Sequence, residues 1–507
     1  MVLSSAAALA ACTGAGAEPG ASDASTPLRQ DDALRATRTP GASAVLPGGS
    51  PSDLSVQASR AVWAASPVAV TVRAGSGEVA AAAEQAEAVG MPLLVLPAAP
   101  AGQDQATGSE QEAISPGVRA VADELGRLGA THVLHVGTGA PDLPDVEVVA
   151  TAADLPGLDP VEPLRDVVGI TVAGRTGDGT TAALATLRAA GAEVVGVGNA
   201  DPRVDPDDVA VVAAADPGVA LGVGARFGPT EVFAQRIEAA ATGVQLPGGG
   251  QTIFDGKRYV ALYGHPLTGG LGVLGEQGPK GSVARVRQVA AQYEGLSEEA
   301  IVPAFEIIAT VAAGGAGDDG NYSNEWDVEV LRPLVDAAAD AGVYVVLDLQ
   351  SGRSDFLSQA MRYEQLLREP HVGLALDPEW RLKKGQKPLR QIGSVGVREI
   401  NRTLAWLAEL TDEADLPQKM VLLHQFRTDI ILNRQNLDLS HDELAVIVQM
   451  DGDGTLGQKL DTWRAIRAGA PSGLRFGWKN FYDEDEPTPS PATTFSVEPT
   501  PWWVSYQ

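Results

Sequence analysis

The segment Leu376-Asp377-Pro378-Glu379-Trp380 sets two carboxylates two residues apart. In an extended strand that spacing turns both side chains to the same side. Two carboxylates in one cleft repel, so one keeps its proton near neutral pH while the other stays ionised. That division supplies a general acid beside a base or nucleophile. It is also what breaking a glycosidic bond through an oxocarbenium-like transition state requires. Groups of the same kind recur where strands are expected to end. His265 follows Tyr259–Tyr263, Glu306 lies in Ala304–Ala309, and Asp348 with Gln350 closes Val343–Leu349. His424 and Gln425 follow Met420–Leu423, Asp451 and Asp453 follow Leu444–Val448, and Trp478 and Asp483 lie beyond Leu474–Phe476. Asp377, Glu379, Asp348 and His424 are therefore the candidate catalytic residues. Glu306, His265, Gln425, Asp451, Asp483, Trp380 and Trp478 are the candidate substrate contacts, the indoles offering flat faces on which sugar rings stack.

These positions need elements to hold them. Helical patterns at Ser282–Tyr293, Val328–Ala341, Asp355–Leu367, Val397–Leu410 and Gly457–Arg467 separate most of the strands, with Val372–Leu376 preceding the carboxylate pair. The alternation predicts a C-terminal (β/α)₈ TIM-barrel-like domain, whose site would gather at the carboxyl ends of its strands. Trp502–Tyr506 is the expected eighth strand, without a closing helix; a doubly wound open sheet is the alternative. The Asp-x-Glu pair at a strand end resembles the muramidase and chitinase-like glycosidase barrels, though the longer Asp-rich motif of the chitinase group is absent. The resemblance implies hydrolysis of a polysaccharide. A non-catalytic wall-binding or scaffolding role is the rival reading.

The first half reads as a Rossmann-like βαβ region. Val68–Val72, Glu78–Val89, Pro92–Leu96, Pro116–Leu128 and Thr131–Val136 form one α/β segment. Met91-Pro-Leu-Leu-Val-Leu96, Ala120–Gly129 and Thr131-His-Val-Leu-His-Val-Gly137 resemble part of the cell wall-binding repeats of Gram-positive surface proteins, without that family's Arg-x-x-Gly opening. A second segment runs Val167–Val172, Thr180–Ala190 and Glu193–Val197. Within it Gly177-Asp-Gly179-Thr-Thr-Ala182, with Asp201 about 20 residues on, has the form of a dinucleotide fingerprint. Asp178 would repel a pyrophosphate there, which favours a tight strand–helix turn capped by Thr180 or Thr181. Residues 241–251 form a Gly/Pro-rich connector.

Cys12 is the only cysteine among 507 residues, so no disulfide framework accounts for it. Leu9-Ala10-Ala11-Cys12 resembles the lipobox of bacterial lipoproteins, although no Lys or Arg precedes the apolar run. That resemblance implies lipidation of Cys12 and a lipid-anchored protein facing outward from the cell membrane. The expected organisation is a signal segment at 1–12, a flexible tether at 13–52, α/β units at 53–150 and 151–245, and the barrel at 255–507. The net charge of −28 disfavours nucleic acid, whose phosphates it repels. A polysaccharide or cell-wall glycan is the expected partner, and no cofactor or metal is expected. Asp451-Gly-Asp453-Gly454 opens like a calcium loop, but Leu456 and Thr462 stand where glycine and glutamate belong. His265, His424 and Asp348 lack metal-ligand spacing, and no Gly-x-Ser-x-Gly elbow occurs.

Overall fold

A computed structural model describes residues 35–98, 115–139 and 142–507. Cys12 and the first part of the expected tether lie outside the described residues. The rest of that tether is structured. Ala36–Thr37 pairs antiparallel with Trp63–Ala65, and Ala44–Leu46 is the edge strand of a sheet. Both pieces are too short to show a period in the sequence, and they form because folded partners lie beside them.

Two four-stranded parallel sheets make up the N-terminal half. One orders Leu93–Leu96, Val68–Arg73, His132–Val136 and Glu147–Val149. The other orders Ala44–Leu46, Val219–Val223, Val167–Val172 and Glu193–Val197. Leu93 N–H donates to Thr186 Oγ1 across the two units (3.0 Å), so the sheets share the helices between them. The helix Asp178–Ala189 packs on Pro51–Val62, and the glycine fingerprint belongs to that contact. A Cβ on Gly179 would lie 2.8 Å from Pro51 Cα. Neither threonine caps the helix, since Gly177 is its N-cap. Asp178 accepts from Gly75 N–H at 2.7 Å, so its carboxylate ties this turn to the neighbouring unit.

The connector is a packed turn. Gln251 is fully buried, and its Nε2 donates to the carbonyls of Ala239 and Val244 (2.7 and 2.8 Å). Beside it Arg236 Nη2 donates to Asp442 Oδ1 at 2.6 Å, which ties the N-terminal half to the barrel.

The barrel strands are Lys257–Gly264 (β1), Ala300–Ala312 (β2), Tyr344–Leu349 (β3), Val372–Leu376 (β4), Lys419–Gln425 (β5), Leu444–Met450 (β6), Arg475–Asn480 (β7) and Trp503–Tyr506 (β8). All eight run parallel in chain order, and β1 pairs with both β2 and β8. That double pairing closes the ring and excludes the open sheet. Helices Pro279–Ala291, Val328–Ala341, Phe356–Ala360 with Glu364–Leu367, Val397–Glu413 and Leu456–Arg467 cover the outside.

Period-two alternation sorts every strand between the two faces. Tyr259, Ala261, Val302, Ala304, Tyr344, Val346, Ala375, Met420, Leu422, Ala445, Ile447 and Trp503 fill the interior, and Leu246 of the connector with Ile253 and Phe254 just after it close its amino-terminal end. The alternate positions pack outward under the helices. Two residues further along, the interior positions become polar: Tyr263, Glu306, Asp348, Asp377, His424, Gln449, Lys479 and Ser505.

Candidate active site

At the carboxyl ends of the strands a cavity of about 490 Å³ opens, with Tyr263, Gln350, Asp377, Glu379, Trp380, Asp451, Asp453 and Lys479 among its lining residues. His424 stands beneath it. Its Nδ1 bonds Asp451 Oδ2 at 2.8 Å, while its Nε2 lies 2.7 Å from Glu306 Oε1 and 3.8 Å from Asp348 Oδ1. The Glu306 contact is out of line for a hydrogen bond, so both Glu306 oxygens and His424 Nε2 are buried without a partner. Lys479 Nζ sits 3.0 Å from Asp451 Oδ1 and 3.8 Å from the Tyr263 ring centroid. Tyr263 donates to Asp348 Oδ2 (3.0 Å) and accepts from Gln350 Nε2 (3.2 Å).

Five carboxylates thus share this space with two cations, and the imbalance shows in their proton affinities. Burial, then repulsion from Asp451, pushes Glu379 up to about 7. Burial likewise raises Asp348 to about 6, against the attraction of His424. Asp377 lies well above the carboxylate range through burial and the charge of Glu379. Asp451 goes the other way. Burial opposes its ionisation, but Lys479 and His424 overcome that and hold it well below its ordinary value. Burial also opposes the charge on His424, and Asp451, Asp348 and Glu306 outweigh it, so the ring is an imidazolium.

The expected catalytic set, Asp377, Glu379, Asp348 and His424, is gathered here together with Glu306, Asp451 and Trp380. The route to the Asp377/Glu379 pair differs from a shared strand face. Pro378 has no N–H for the ladder, so β4 stops at Leu376 and Pro378–Trp380 is a 3₁₀ turn. Asp377 keeps the interior register of β4, and the turn carries Glu379 to the cavity wall.

Four expected contacts lie elsewhere. Trp478 occupies an outward position of β7, fully buried against Trp463 at 5.7 Å between ring centroids. Gln425 also faces outward, bonded to Arg427 O and Arg434. Asp483 is exposed beyond β7. His265 stands in the turn after β1, its Nδ1 accepting from Leu267 N–H (3.2 Å) and its ring 4.7 Å from Trp326. Lys479 and Tyr263 line the cavity and were not among the expected site residues. Counting in twos from Tyr259 and Ala261 finds Tyr263, but Lys479 follows Arg475 and Gly477 on its face, so no apolar run in the sequence points to it.

Asp377, His424 and Asp451 offer ligand atoms within 4.8 Å of one another, a set that can hold a metal ion although none was expected. His424 would first have to give up a proton, and Lys479 already supplies a positive charge to Asp451. The Asp451–Gly454 segment is no calcium loop; it leads into the Thr455/Gln458 capping box of the next helix. No family model matches the chain, and no curated protein matches it.

Proposed function

We propose that the barrel is a glycoside hydrolase acting on a cell-envelope or environmental polysaccharide. The observation that carries this reading is the opposite tuning of two carboxyl groups on one cavity wall, Glu379 keeping its proton up to about pH 7 and Asp451 held ionised. Groups whose surroundings drive their proton affinities apart divide into acid and base in this way. Glu379 gives its proton to the glycosidic oxygen as the C1–O bond breaks. Asp451 is the anion that faces the positive charge developing at the sugar, and the proton of the entering water returns to the Glu379 carboxylate left by the first step. The water oxygen goes to C1, and one water is consumed per bond. Burial and the charges of Asp451 and Asp348 keep the proton on Glu379, Asp377 stands beside it as a second protonated carboxyl, and His424 and Lys479 fix Asp451. Trp380 supplies an aromatic wall.

Reducing-sugar release from a broad glycan panel, including wall polysaccharide, tests the proposal. The wild type should release sugar and Glu379→Gln should not, while the variant still pulls down the same glycan. Release by neither leaves the binding or scaffolding role in place of the hydrolase. The reading places the barrel outside the cell on a lipid carried by Cys12. Labelled palmitate should enter the wild type and not Cys12→Ser.

A further inference from the structure

The loop that follows Glu379 has a charge opposite to the rest of the molecule. Between Glu379 and Glu399 the chain contains Arg381, Lys383, Lys384, Lys387, Arg390 and Arg398 and no acid, within a protein of net charge −28. Arg381 is bound to Glu399 (2.7 Å). Lys383, Lys384, Lys387 and Arg390 are exposed, and none meets a carboxylate among the described residues. Their charge is therefore unspent.

This loop is held in place. Its ends are joined by Gly393 N–H donating to Glu379 O (2.6 Å) and Ser394 N–H donating to Arg381 O (3.0 Å). A Cβ on Gly393 would stand 2.5 Å from both Glu379 O and Arg381 O, so a side chain there would force the loop open. On the far side the Arg353 guanidinium donates to Gln386 O (2.6 Å from Nη2) and lies 4.3 Å over the Tyr322 ring.

At the tip Leu389 is 84% exposed, with φ +59°. That is a left-handed conformation disfavoured for leucine, of the kind that collects at ligand contacts. Leu389 borders the cavity of Glu379 and Trp380. It also borders an adjoining hollow of about 270 Å³ shared with Trp380, Arg390 and Ile392. Trp380, Pro388 and Leu389 thus border the cleft, Arg390 lies in the adjoining hollow, and Lys383 and Lys384 line a separate hollow of the same loop with Arg353 and Arg381.

We propose that this loop is a substrate subsite for a polysaccharide bearing anionic groups, with sugar faces against Trp380 and Leu389, the nearest anion on Arg390, and anions further along the chain on Lys387, Lys383 and Lys384. The proposal deepens the hydrolase reading and rests on it for the direction of the chain. The loop cations lie beside the cleavage point and not in it, so the charged residue of the chain sits over the loop, next to the residue cleaved. An anionic membrane surface offers similar chemistry. The apolar residues, however, border the cleft wall that carries Glu379, and a planar surface would not follow them there.

The test is a binding measurement in the Glu379→Gln background, where no turnover intervenes. The probes are hyaluronan, in which a uronate alternates with a neutral amino sugar, and vesicles of phosphatidylglycerol and phosphatidylcholine. Hyaluronan should bind at low salt. Affinity should fall at least tenfold on adding Lys383→Gln, Lys384→Gln, Lys387→Gln and Arg390→Gln together, and should weaken sharply at about 0.5 M salt through screening. Circular dichroism and melting should be unchanged, because the four side chains are exposed. No hyaluronan binding, or binding indifferent to the four substitutions, overturns the subsite. So does loop-dependent capture of the vesicles without the glycan. Hyaluronan held by the loop with no hydrolysis of any glycan by the wild type sinks the hydrolase reading and keeps the subsite. Hydrolysis of neutral glycans without hyaluronan binding does the reverse.

Discussion

Replacing Glu379 by glutamine should damage catalysis and strengthen the fold, and the second effect has a definite pH dependence. The Glu379 carboxyl is pushed from 4.5 up to about 7, chiefly by burial and then by the charge of Asp451. At pH 7 it is protonated about half the time, where an unperturbed glutamate would be so about once in three hundred. Between pH 4.5 and 7 the folded protein retains a proton that the unfolded chain releases, so stability falls as pH rises through that window. Fully converted, the difference is about 3 kcal/mol, and the part of the side chain open to the cleft reduces it to roughly 2 kcal/mol. Glutamine carries no charge and escapes this loss. Urea unfolding followed by tryptophan fluorescence should show wild type and Glu379→Gln equal near pH 4. The variant should be more stable by roughly 2 kcal/mol at pH 8.5. Loss of the proton donor should lower kcat/KM by about 10²–10⁴-fold, and the wild-type rate should decline above about pH 7. Equal or lower stability of the variant at pH 8.5 would refute the claim that the cleft wall disfavours the Glu379 charge, and the assignment of the acid would go with it.

Asp451→Asn removes the anion shared by His424 and Lys479, so the rate should fall and the His424 titration should move down toward ordinary histidine. Carbon-13 NMR of labelled histidine reads the second effect directly, and an unmoved His424 would contradict the arrangement. The stability that protonated His424 contributes is complete below its unfolded value of 6.5 and lost as pH rises through its raised folded value, so this contribution should shrink in the variant. Gly179→Ala places a methyl group 2.8 Å from Pro51 Cα, a backbone atom that cannot swing aside. Melting should show a loss of about 1–3 kcal/mol. An unchanged melting temperature would mean that the two helices can separate at no cost.

Much of the barrel was legible from residue order. Val328–Ala341 and Val372–Leu376 coincide with their expected spans, and the terminal Trp503–Tyr506 strand forms without a closing helix. These elements announce themselves because a buried parallel strand is continuously apolar and its covering helix repeats every three to four residues. The short strands Ala36–Thr37 and Ala44–Leu46 were hidden in a stretch rich in Ala, Gly and Pro, since pairing with distant partners makes them strands. The sequence at Gly177–Ala182 has the form of a fingerprint for a related reason, and its glycine serves the helix contact instead. A glycine that admits a phosphate and one that admits a neighbouring helix look alike until the neighbour is in place.

The order of residues determined that acids, His and Gln would stand at the strand ends, because chain position alone sets where an apolar run stops. Only ring closure decided which of them look inward. It brought Glu306, Asp348, Asp377, His424 and Lys479 together while turning Gln425 and Trp478 out beneath the helices. The proton affinities were likewise a matter of tertiary structure. Asp377, Glu379 and Asp451 are all ordinary carboxylic acids in the sequence, and their separation follows from how much water each loses and which cation each meets.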